Sequence, residues 1–530
     1  MNAKIENEPP SLVKHLMLLK TLFITGMIIS ILVARGQQPV FHENFEKPEV
    51  IETVQGIAGK ALNLGPDARV RQVMVARHPL NGKEAGFSVT IWVRAEQQSA
   101  EPYDILSSLE KKDEQFDGWR IRVAARGGWE FHVRKGAATY SYATTARQTL
   151  RDGNWHLLAA TYSATAKELR FYYDGNMMAI YRADSIEGFY APQEMVIGGS
   201  IDSKYFFRNM RWESYWDSFN GQIDDITLYA AELPAAYIAS YYQRISGKTA
   251  AAPAVNPITN LFKLTAFNIW HGGHEFGKET GKHILIDMLR NMNADAYTLV
   301  ETYGSGPEIA DALGYYLYLV SDNLSIVSRY PFTETYNLSS PDNSGAAQIQ
   351  LSNGKRINLA VVWLDWLPSF IMKGFDNGEG WTKEKFLEVE NKRRGSEIRT
   401  ILSDLQRQIG QRDSIPLIVA GDFNSGSHLD WTEKTSSIHK GYTMPWPVSI
   451  AMQKAGFRDS FRELHPDPLK TPGTTFSDNR TVWVKTRVDY IYYTGKPLQA
   501  VESETVNKHP IRFPSDHAAV STVFRITGAE

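Results

Sequence analysis

Hydrophobic and polar residues alternate with a period of two along the first half of the chain. Residues 87–93 (Phe-Ser-Val-Thr-Ile-Trp-Val) and 223–229 show this alternation, which is typical of half-buried strands. Residues 169–173 run directly into Asp174-Gly175-Asn176, a sequence that favours a hairpin turn. Turn residues recur between these stretches, and the pattern of a long helix is missing from most of this half. We therefore predict an antiparallel β-sandwich over residues 38–245.

In the second half the pattern changes to strands that alternate with helices. Residues 261–267 and 296–300 have the composition of buried strands, and the stretch between them repeats apolar residues at helical spacing. A second helical stretch leads into the apolar run 417–420. Over residues 258–527 this alternation predicts two layers of sheet with helices outside. The small, polar, proline-bearing stretch 246–257 is predicted to be the linker between the two domains.

Composition narrows the class of protein. A chain of 530 residues with 43% hydrophobic residues is long enough for two or three domains with sizeable cores. The net charge of −2 lacks the basic excess that tight, non-specific nucleic-acid binding usually needs. The absence of cysteine excludes disulfide scaffolds and cysteine-ligated zinc.

The N-terminus has the features of a secretory signal. Lys4, Lys14 and Lys20 precede a mostly apolar run over residues 21–34, and Ala34-Arg35-Gly36 offers a small-residue cleavage site. We therefore predict a signal peptide over residues 1–36, with an uncleaved N-terminal anchor as the alternative. The expected location is periplasmic, cell-surface or extracellular.

Polar side chains follow the predicted strands of the second half at the points where each strand meets a loop. These side chains are Asn268, Glu301, Asp422, Asn424, Asp489, Asp516 and His517. Strand ends gather at one edge of a sheet, so groups far apart in sequence can converge there. Converging carboxylates repel one another unless a cation neutralises them. Because most of these groups are oxygen ligands, magnesium, calcium or manganese is favoured over zinc.

The first half resembles the laminin-G-like, concanavalin-A-like jelly-roll family. The matching stretches are residues 87–93, 152–157 (Asp-Gly-Asn-Trp-His-Leu), 173–175 (Tyr-Asp-Gly) and 221–225 (Gly-Gln-Ile-Asp-Asp). The resemblance implies an all-β jelly-roll sandwich; its motifs mark strands and turns rather than a ligand site. We expect this domain to dock the protein on a glycan, on a cell surface or on its own second domain.

The second half, from about residue 258 to 527, resembles the endonuclease/exonuclease/phosphatase superfamily, the fold of DNase I and of neutral sphingomyelinases. The motifs that carry the resemblance, in order, are Phe267-Asn268-Ile269-Trp270, Glu301, Ser328-Arg329-Tyr330-Pro331, Gly421-Asp422-Phe423-Asn424, Val488-Asp489-Tyr490-Ile491 and Ser515-Asp516-His517. The implied fold is a four-layered α/β sandwich. The implied metal site has Asn268 and Glu301 as ligands with Asp516 near the ion, which is Mg²⁺, or alternatively Mn²⁺ or Ca²⁺.

The resemblance also implies the groups that handle protons and phosphate. Asp422 would activate or orient the attacking water, and Asn424 would donate a hydrogen bond to the phosphate. His517, oriented by Asp489, would contact the phosphate oxygens or protonate the leaving group. An acid–base group of this kind contributes about 10²–10⁴-fold to a rate.

One position departs from the family pattern, and the loops near it supply further candidates. Many members carry a second histidine where this chain has Trp363. Its role could pass to His271, His274 or His428, which lie in loops just past catalytic positions. These three histidines and Trp431 are our candidate substrate contacts.

The resulting hypothesis is an exported, monomeric, metal-dependent phosphodiesterase that breaks a P–O bond by attack of water and carries a lectin-like accessory domain. The substrate class stays open between nucleic acid, a phospholipid headgroup and a sugar phosphate. The alternatives are an extracellular endonuclease, a sphingomyelinase or inositol- or sugar-phosphate phosphatase, and a glycan-binding protein with an inert catalytic domain. A basic groove would favour nucleic acid, whereas a narrow pocket rimmed by aromatic side chains would favour a small headgroup.

Overall fold

The computed structural model describes most of the chain outside its N-terminus. The described residues are 38–46, 52–65, 73–96, 103–112, 115–184, 186, 192–200, 219–250, 260–369, 382–476 and 482–527. The predicted signal peptide and residues 251–257 of the predicted linker lie outside these ranges, so both stay predictions. Among the described residues, none of the helices has the length and apolar character needed to cross a membrane.

Two antiparallel sheets form the N-terminal half, which confirms the predicted sandwich. Its strands are β1 (Phe41–Glu43), β2 (Thr53–Gln55), β3 (Lys60–Asn63), β4 (Met74–Arg77), β5 (Gly86–Ala95), β6 (Asp104–Lys112), β7 (Gln115–Val123), β8 (Trp129–Lys135), β9 (Ala138–Ala143), β10 (His156–Ser163), β11 (Glu168–Tyr173), β12 (Asn176–Arg182), β13 (Glu194–Ile197) and β14 (Gly221–Tyr229). The strand order is β2-β3-β14-β5-β10-β11-β12 in one sheet, with β1 on β14, and β4-β13-β6-β7-β8-β9 in the other.

Aromatic side chains fill the space between these two sheets and also one outer face. Trp119 and Phe131 stack in the inner core with ring centroids 6.2 Å apart, and Trp129 is fully buried beside them. On the outer face of the larger sheet, Trp92 stacks on Tyr242 of helix α1 (Ala235–Ser246) at 5.6 Å. Burying large aromatic side chains supplies much of the hydrophobic stabilisation of such a domain.

The C-terminal half consists of two six-stranded sheets that face each other. The first has the order β17-β18-β16-β15-β26-β25, and the second has the order β19-β20-β21-β22-β24-β23. The strands are β15 (Leu261–Asn268), β16 (Ala296–Val300), β17 (Tyr316–Ser321), β18 (Leu324–Ser328), β19 (Phe332–Tyr336), β20 (Ser344–Gln350), β21 (Arg356–Trp363), β22 (Leu417–Asp422), β23 (Arg458–Asp459), β24 (Asp489–Thr494), β25 (Leu498–Val506) and β26 (Ala519–Ile526).

Helices cover the outer faces of both sheets of this half. They are α2 (Lys278–Met292), α3 (Gly306–Leu313), α4 (Lys383–Lys392), α5 (Arg394–Asp404), α6 (Gln406–Gly410), α7 (Pro447–Lys454) and α8 (Ser460–Leu464). Helix α2 presents Leu285, Met288 and Leu289 to the first sheet, and α5 presents Ile398 and Ile401 to the second. The helix–sheet–sheet–helix layering confirms the four-layered α/β sandwich.

The two halves share one sheet. Strand β12 of the sandwich pairs in parallel with β17 of the second half, with Ile180 opposite Tyr318, so the larger sheet of the sandwich and the first sheet of the α/β half form one 14-stranded sheet. The buried Asp311 of α3 accepts hydrogen bonds from the Thr145 backbone amide at 2.8 Å and from the Gln148 side chain at 2.9 Å. The sandwich was expected to dock on a glycan, on a cell surface or on the second domain of the same chain. The structure shows the last of these contacts.

Candidate active site

The first wall of the site comes from two parallel strands of the 14-stranded sheet. Asn268 is the last residue of β15, and its register partner Val300 ends β16, so Glu301 emerges directly beside Asn268. The Asn268 amide donates to Glu301 Oε1 at 2.9 Å. Glu301 has a positive φ of 59°, a left-handed conformation that is uncommon for a residue other than glycine. The chain leaves β16 through this turn, which holds the carboxylate over the strand ends.

The second wall comes from the facing sheet. Asp422 ends β22 and Asp489 begins β24, and these two residues are register partners in an antiparallel pair. Side chains of register partners lie on the same face of a sheet, so the two carboxylates are neighbours. The Asn268 amide also donates to Asp422 Oδ2 at 3.2 Å. This contact joins the two facing sheets at their common edge, where sequence reasoning expected the polar groups to converge.

His517 lies between these walls and is oriented by Asp489. Its Nδ1 is 2.9 Å from Asp489 Oδ2, while its Nε2 lies 4.0 Å from Asp422 Oδ2 and 3.5 Å from the Asn268 amide nitrogen. The Nδ1–H group of His517 therefore donates a hydrogen bond to Asp489, and Nε2 faces the reaction space. Ser515 secures the loop, because its hydroxyl donates to the Asn268 carbonyl at 2.7 Å and accepts from the His517 backbone amide at 3.0 Å.

The electrostatics of this buried group favour proton transfer. Burial and the neighbouring Asp489 carboxylate raise the pKa of Asp422 to about 7. Burial alone would lower the pKa of His517, but the Asp489 and Asp422 carboxylates outweigh it and raise the pKa to about 10. At neutral pH a carboxyl group that can accept a proton therefore faces an imidazolium that can give one.

Asn424 follows Asp422 and is tied to it. Its backbone amide donates to Asp422 Oδ1 at 2.9 Å, and its side-chain amide donates to the Leu364 carbonyl at 3.0 Å and approaches Asp422 Oδ2 at 3.3 Å. In this arrangement both side-chain amide protons face protein oxygens. The predicted hydrogen bond from Asn424 to the phosphate thus requires its amide to turn away from one of these acceptors, and that role stays a prediction.

The residues at this edge fit a hard divalent cation. Glu301 and Asp516 offer carboxylate oxygens, which magnesium, manganese and calcium prefer. Asn268 would have to turn its side-chain amide over to present Oδ1, because that oxygen now accepts from the Trp270 backbone amide at 3.0 Å. Asp516 is half-buried and lines the cleft that adjoins His517. Asp422, Asp489 and His517 can also bring ligand atoms to within 4.8 Å of one another. The buried Asp489 Oδ1 accepts no hydrogen bond among the described residues, so the site holds negative charge that a cation would stabilise.

The predicted substrate histidines have different surroundings. His271 is exposed above the metal-site candidates, with its backbone amide 3.2 Å from Glu301 Oε2, so the structure brings it to the site. His274 is bonded to the Ser305 hydroxyl at 3.2 Å. His428 contacts Ser449 Oγ at 2.8 Å and Gln453 Oε1 at 3.0 Å. Those two imidazoles serve local structure in this arrangement.

The structure contradicts the expectation that Trp431 contacts substrate. Its side chain is only 2% exposed, its indole N–H donates to Thr486 Oγ1 at 3.1 Å, and its ring stacks on His439 with centroids 4.1 Å apart. It also packs edge-on against Trp446. The loop pattern around His428 placed Trp431 near the catalytic strand end, but the sequence carried no sign of this aromatic cluster.

Trp363 is the last residue of β21, at the strand end next to Asp422. It is the register partner of Asp422 in the parallel pair β21–β22, so both side chains lie on the face that looks toward the first sheet. The buried indole nitrogen makes no hydrogen bond within the described residues. A neutral N–H donor therefore stands where the family pattern has an imidazole.

Sequence reasoning missed Thr475 as a structural part of the site. Its hydroxyl oxygen accepts hydrogen bonds from the backbone amides of Val488 at 2.9 Å and of Asp489 at 3.1 Å. This threonine fixes the entry of β24 and hence the Asp489 carboxylate. A single threonine in a loop carries no sequence signal for such a role.

A cleft of about 560 Å³ adjoins His517 and is rimmed by aromatic side chains. Trp270, Phe276 and Phe513 line it together with Asp516, and the Arg512 guanidinium lies over the Phe276 ring at 3.6 Å from its centroid. Arg512 is the one Lys or Arg side chain among its described lining residues. Over its described lining the cleft thus combines an aromatic rim with polar side chains and carries a single arginine.

Each half of the chain matches the model of a known protein family. Residues 68–239 match the model of the concanavalin A-like lectin/glucanases superfamily, and residues 265–517 match that of the endonuclease/exonuclease/phosphatase family. An uncharacterized protein of Caenorhabditis elegans is 30% identical over 291 residues, which cover 49% of this chain and 90% of the relative. The chain belongs to the endonuclease/exonuclease/phosphatase family. Enzymes of this family hydrolyse phosphoester bonds and generally depend on a divalent metal, so the predicted enzyme class is confirmed.

Solved structures of the endonuclease/exonuclease/phosphatase family are similar to half of the chain. An AP endonuclease of Archaeoglobus fulgidus is 19% identical, with a TM-score of 0.36, and the match covers 50% of this chain and 100% of that one. The catalytic domain of human nocturnin is 18% identical, with a TM-score of 0.35 and coverages of 50% and 94%.

Proposed function

We propose that this member of the endonuclease/exonuclease/phosphatase family is an exported, divalent-metal-dependent phosphodiesterase acting on a small or lipid-linked phosphodiester. The observation that carries the proposal is the contact set around His517. Its Nδ1 is bound to Asp489 at 2.9 Å, and its Nε2 lies 4.0 Å from the Asp422 carboxylate, between the two sheets. Hydrolysis of a phosphoester is accelerated by a base for the attacking water and by a proton donor at the phosphate, and this group contains a carboxylate and an imidazole for these roles.

In the proposed reaction, Asp422 orients the attacking water and accepts its proton as the new P–O bond forms. His517, held by Asp489, gives the Nε2 proton to the leaving oxygen as the old P–O bond breaks. The metal ion would be held by Asn268, Glu301 and Asp516. When bound, it neutralises negative charge on the phosphate. The imidazolium also stabilises the negative charge that develops on the phosphoryl oxygens.

The shape and charge of the cleft favour a small phosphodiester over a long nucleic acid. Its described lining residues include three aromatic side chains and one arginine, whereas tracking a phosphodiester backbone needs several cations along a groove. The extracellular endonuclease is therefore the second candidate. The inert-domain alternative is disfavoured because the Asn268 amide contacts both the Glu301 and the Asp422 carboxylates.

The test is a substrate panel assayed with and without EDTA and with Mg²⁺, Mn²⁺ or Ca²⁺ added back. The panel contains an aryl phosphodiester, sphingomyelin, inositol phosphates, RNA, and single- and double-stranded DNA. We expect hydrolysis of the aryl diester that EDTA reduces at least 100-fold and that a divalent ion restores. Hydrolysis that persists unchanged in EDTA would contradict the metal-dependent mechanism, and preference for DNA would favour the endonuclease.

The position of Trp363 gives a second expectation for the same reaction. Its indole N–H makes no hydrogen bond to any residue that the structure describes, and it is the proposed donor to a phosphoryl oxygen in place of the family's second imidazole. Trp363→Phe keeps an aromatic ring but removes the donor, so we expect kcat to fall about tenfold, on the scale of one hydrogen bond to a charged group. Trp363→His restores a donor and should recover part of the loss. Equal activity of Trp363→Phe and the unaltered protein would show that the indole N–H takes no part.

A further inference from the structure

We propose that the substrate is a glycosyl phosphodiester, and that its sugar is held in a cleft between the two domains. The inference rests on the proposed phosphodiesterase function and assigns the sandwich a part in substrate binding. The cleft has two neighbouring parts of about 390 and 560 Å³ along the seam where β12 pairs with β17. Both parts share Thr139 and Tyr140 of β9 and Asp322 of the α/β half.

The cleft begins beside the candidate metal site. Tyr303 lines it two residues after Glu301, and its ring centroid lies 5.8 Å from that of His271. The His271 backbone amide is in turn 3.2 Å from Glu301 Oε2. A group that extends from a phosphate bound at Glu301 past His271 therefore enters the cleft between Tyr303 and the sandwich.

The relative position of the two walls is fixed by the backbone. Ala179, Ile180 and Tyr181 of β12 pair with Leu317, Tyr318 and Leu319 of β17. Next to the cleft, Asp311 of α3 binds the Thr145 and Gln148 segment of the sandwich. A ligand thus meets a preformed site, which costs less ordering entropy than closing two tethered domains around it.

The chemistry of the lining selects a neutral polyhydroxylated group. Tyr140 and Tyr303 bring aromatic rings to the lining, whereas the Ser141 hydroxyl is bound to Glu130 at 2.8 Å. Asp322 lines both parts and supplies a carboxylate acceptor for sugar hydroxyls. Strand β9 is also the last strand of its sheet among the described residues, and its Ser141 carbonyl accepts a hydrogen bond from the Tyr181 hydroxyl at 3.0 Å, so this edge can bind hydroxyl groups.

The charge of the lining disfavours a nucleic-acid strand in the same place. Asp184, Asp322 and Asp342 line the larger part, and its one Lys or Arg side chain among the described lining residues is Arg182. Arg182 is bound to Asp184 at 2.5 Å and to the Leu338 carbonyl at 2.7 Å. The negative charge of this lining would repel any phosphate beyond the scissile one, but it would not repel an uncharged sugar.

The experiment compares phosphodiesters that share p-nitrophenol as the leaving group and differ in the second ester. The full-length protein is assayed with the glucosyl, galactosyl, mannosyl, N-acetylglucosaminyl, thymidine 5′ and methyl diesters. We expect kcat/KM for at least one sugar diester to exceed that of the methyl diester about tenfold or more. Tyr140→Ala and Asp322→Asn should each lower this preference about five- to twentyfold through KM, and leave the methyl diester unchanged.

Tyr237→Ala is the matched control, because Tyr237 is a half-buried sandwich tyrosine that lines neither part of the cleft. It should leave the sugar preference unchanged, and melting temperatures should show that all three variants are folded. Equal kcat/KM for the sugar and methyl diesters would overturn the sugar cleft while the phosphodiesterase function stands. A preference for the thymidine diester that neither variant alters would overturn it too. Loss of turnover for every diester would reject the proposed function, and the sugar cleft with it.

Discussion

Replacing Asp422 with asparagine lowers kcat by about 10³-fold and makes the metal-free protein more stable. The loss follows because asparagine keeps the shape of the side chain but cannot take the proton of the attacking water, and an acid–base group is worth about 10²–10⁴-fold. The gain follows because Asp422 is a buried carboxylate beside a second carboxylate, Asp489, and near His517. Removing one of two adjacent buried carboxylates removes the cost of burying that charge and its repulsion of the other, so the folded state is stabilised.

The pH dependence of this gain has a definite sign. The pKa of Asp422 is raised to about 7 in the folded protein from an ordinary value of 3.8, so the folded state favours its protonated form. The unaltered protein therefore loses stability as the pH rises from about 4 to 7, whereas Asp422→Asn does not lose this contribution. We expect a gain on the order of 1–3 kcal/mol at pH 7 and little gain at pH 4.

Urea unfolding in EDTA and steady-state kinetics with added Mg²⁺ measure the two effects on the same protein. Asp413→Asn is the control, since Asp413 is part of an exposed pair with Lys496 at 3.7 Å. It should change neither quantity by a measurable amount. Activity of Asp422→Asn within tenfold of the unaltered protein would remove Asp422 from the proposed mechanism.

Arg487→Met should cost about 3–5 kcal/mol of unfolding free energy, the largest stability effect we expect from a side chain outside the reaction space. The Arg487 guanidinium is fully buried and binds Asp459 at 2.6 Å and Asp430 at 2.9 Å. Their carboxylates raise its pKa further above the usual range, although burial opposes this. Methionine fills part of the volume but leaves two buried carboxylates without this partner.

Activity should fall together with stability, because Arg487 precedes Val488 and Asp489 on the way into β24. The control is Arg393→Met, which breaks the more exposed pair with Asp365 at 3.1 Å and should cost less than about 1 kcal/mol. Urea midpoints for both variants give the comparison. A similar, small loss for both would show that the buried network around Arg487 contributes little to folding.

The sequence was enough to predict the parts of the site that depend on strand ends. Asn268, Glu301, Asp422, Asp489 and His517 each follow or begin a recognisable apolar strand, and two facing sheets bring such positions to a common edge. The sequence did not reveal Thr475, because its role depends on two backbone amides rather than on a motif. Trp431 was misplaced for a related reason: whether a loop tryptophan faces a ligand or a core depends on partners distant in sequence.

The pairing of the domains was beyond sequence reasoning as well. The proline-bearing stretch after α1 predicted a linker between two separate domains, yet β12 joins β17 by backbone hydrogen bonds that depend little on side-chain identity. Neither strand carries a pattern that distinguishes an outer strand from an inner one. Our expectation for the sandwich therefore remained divided between a glycan, a surface and the neighbouring domain until the register was known.

The shared sheet also bears on how the molecule can be divided and how it denatures. Cutting the chain between its halves would leave β12 on one fragment and β17 on the other, each as an unprotected edge with apolar residues such as Ile180 and Tyr318 newly bared. Edges of that kind pair with other copies and promote aggregation. The two halves thus depend on each other for solubility as well as for position, and heat should melt them in a single cooperative transition.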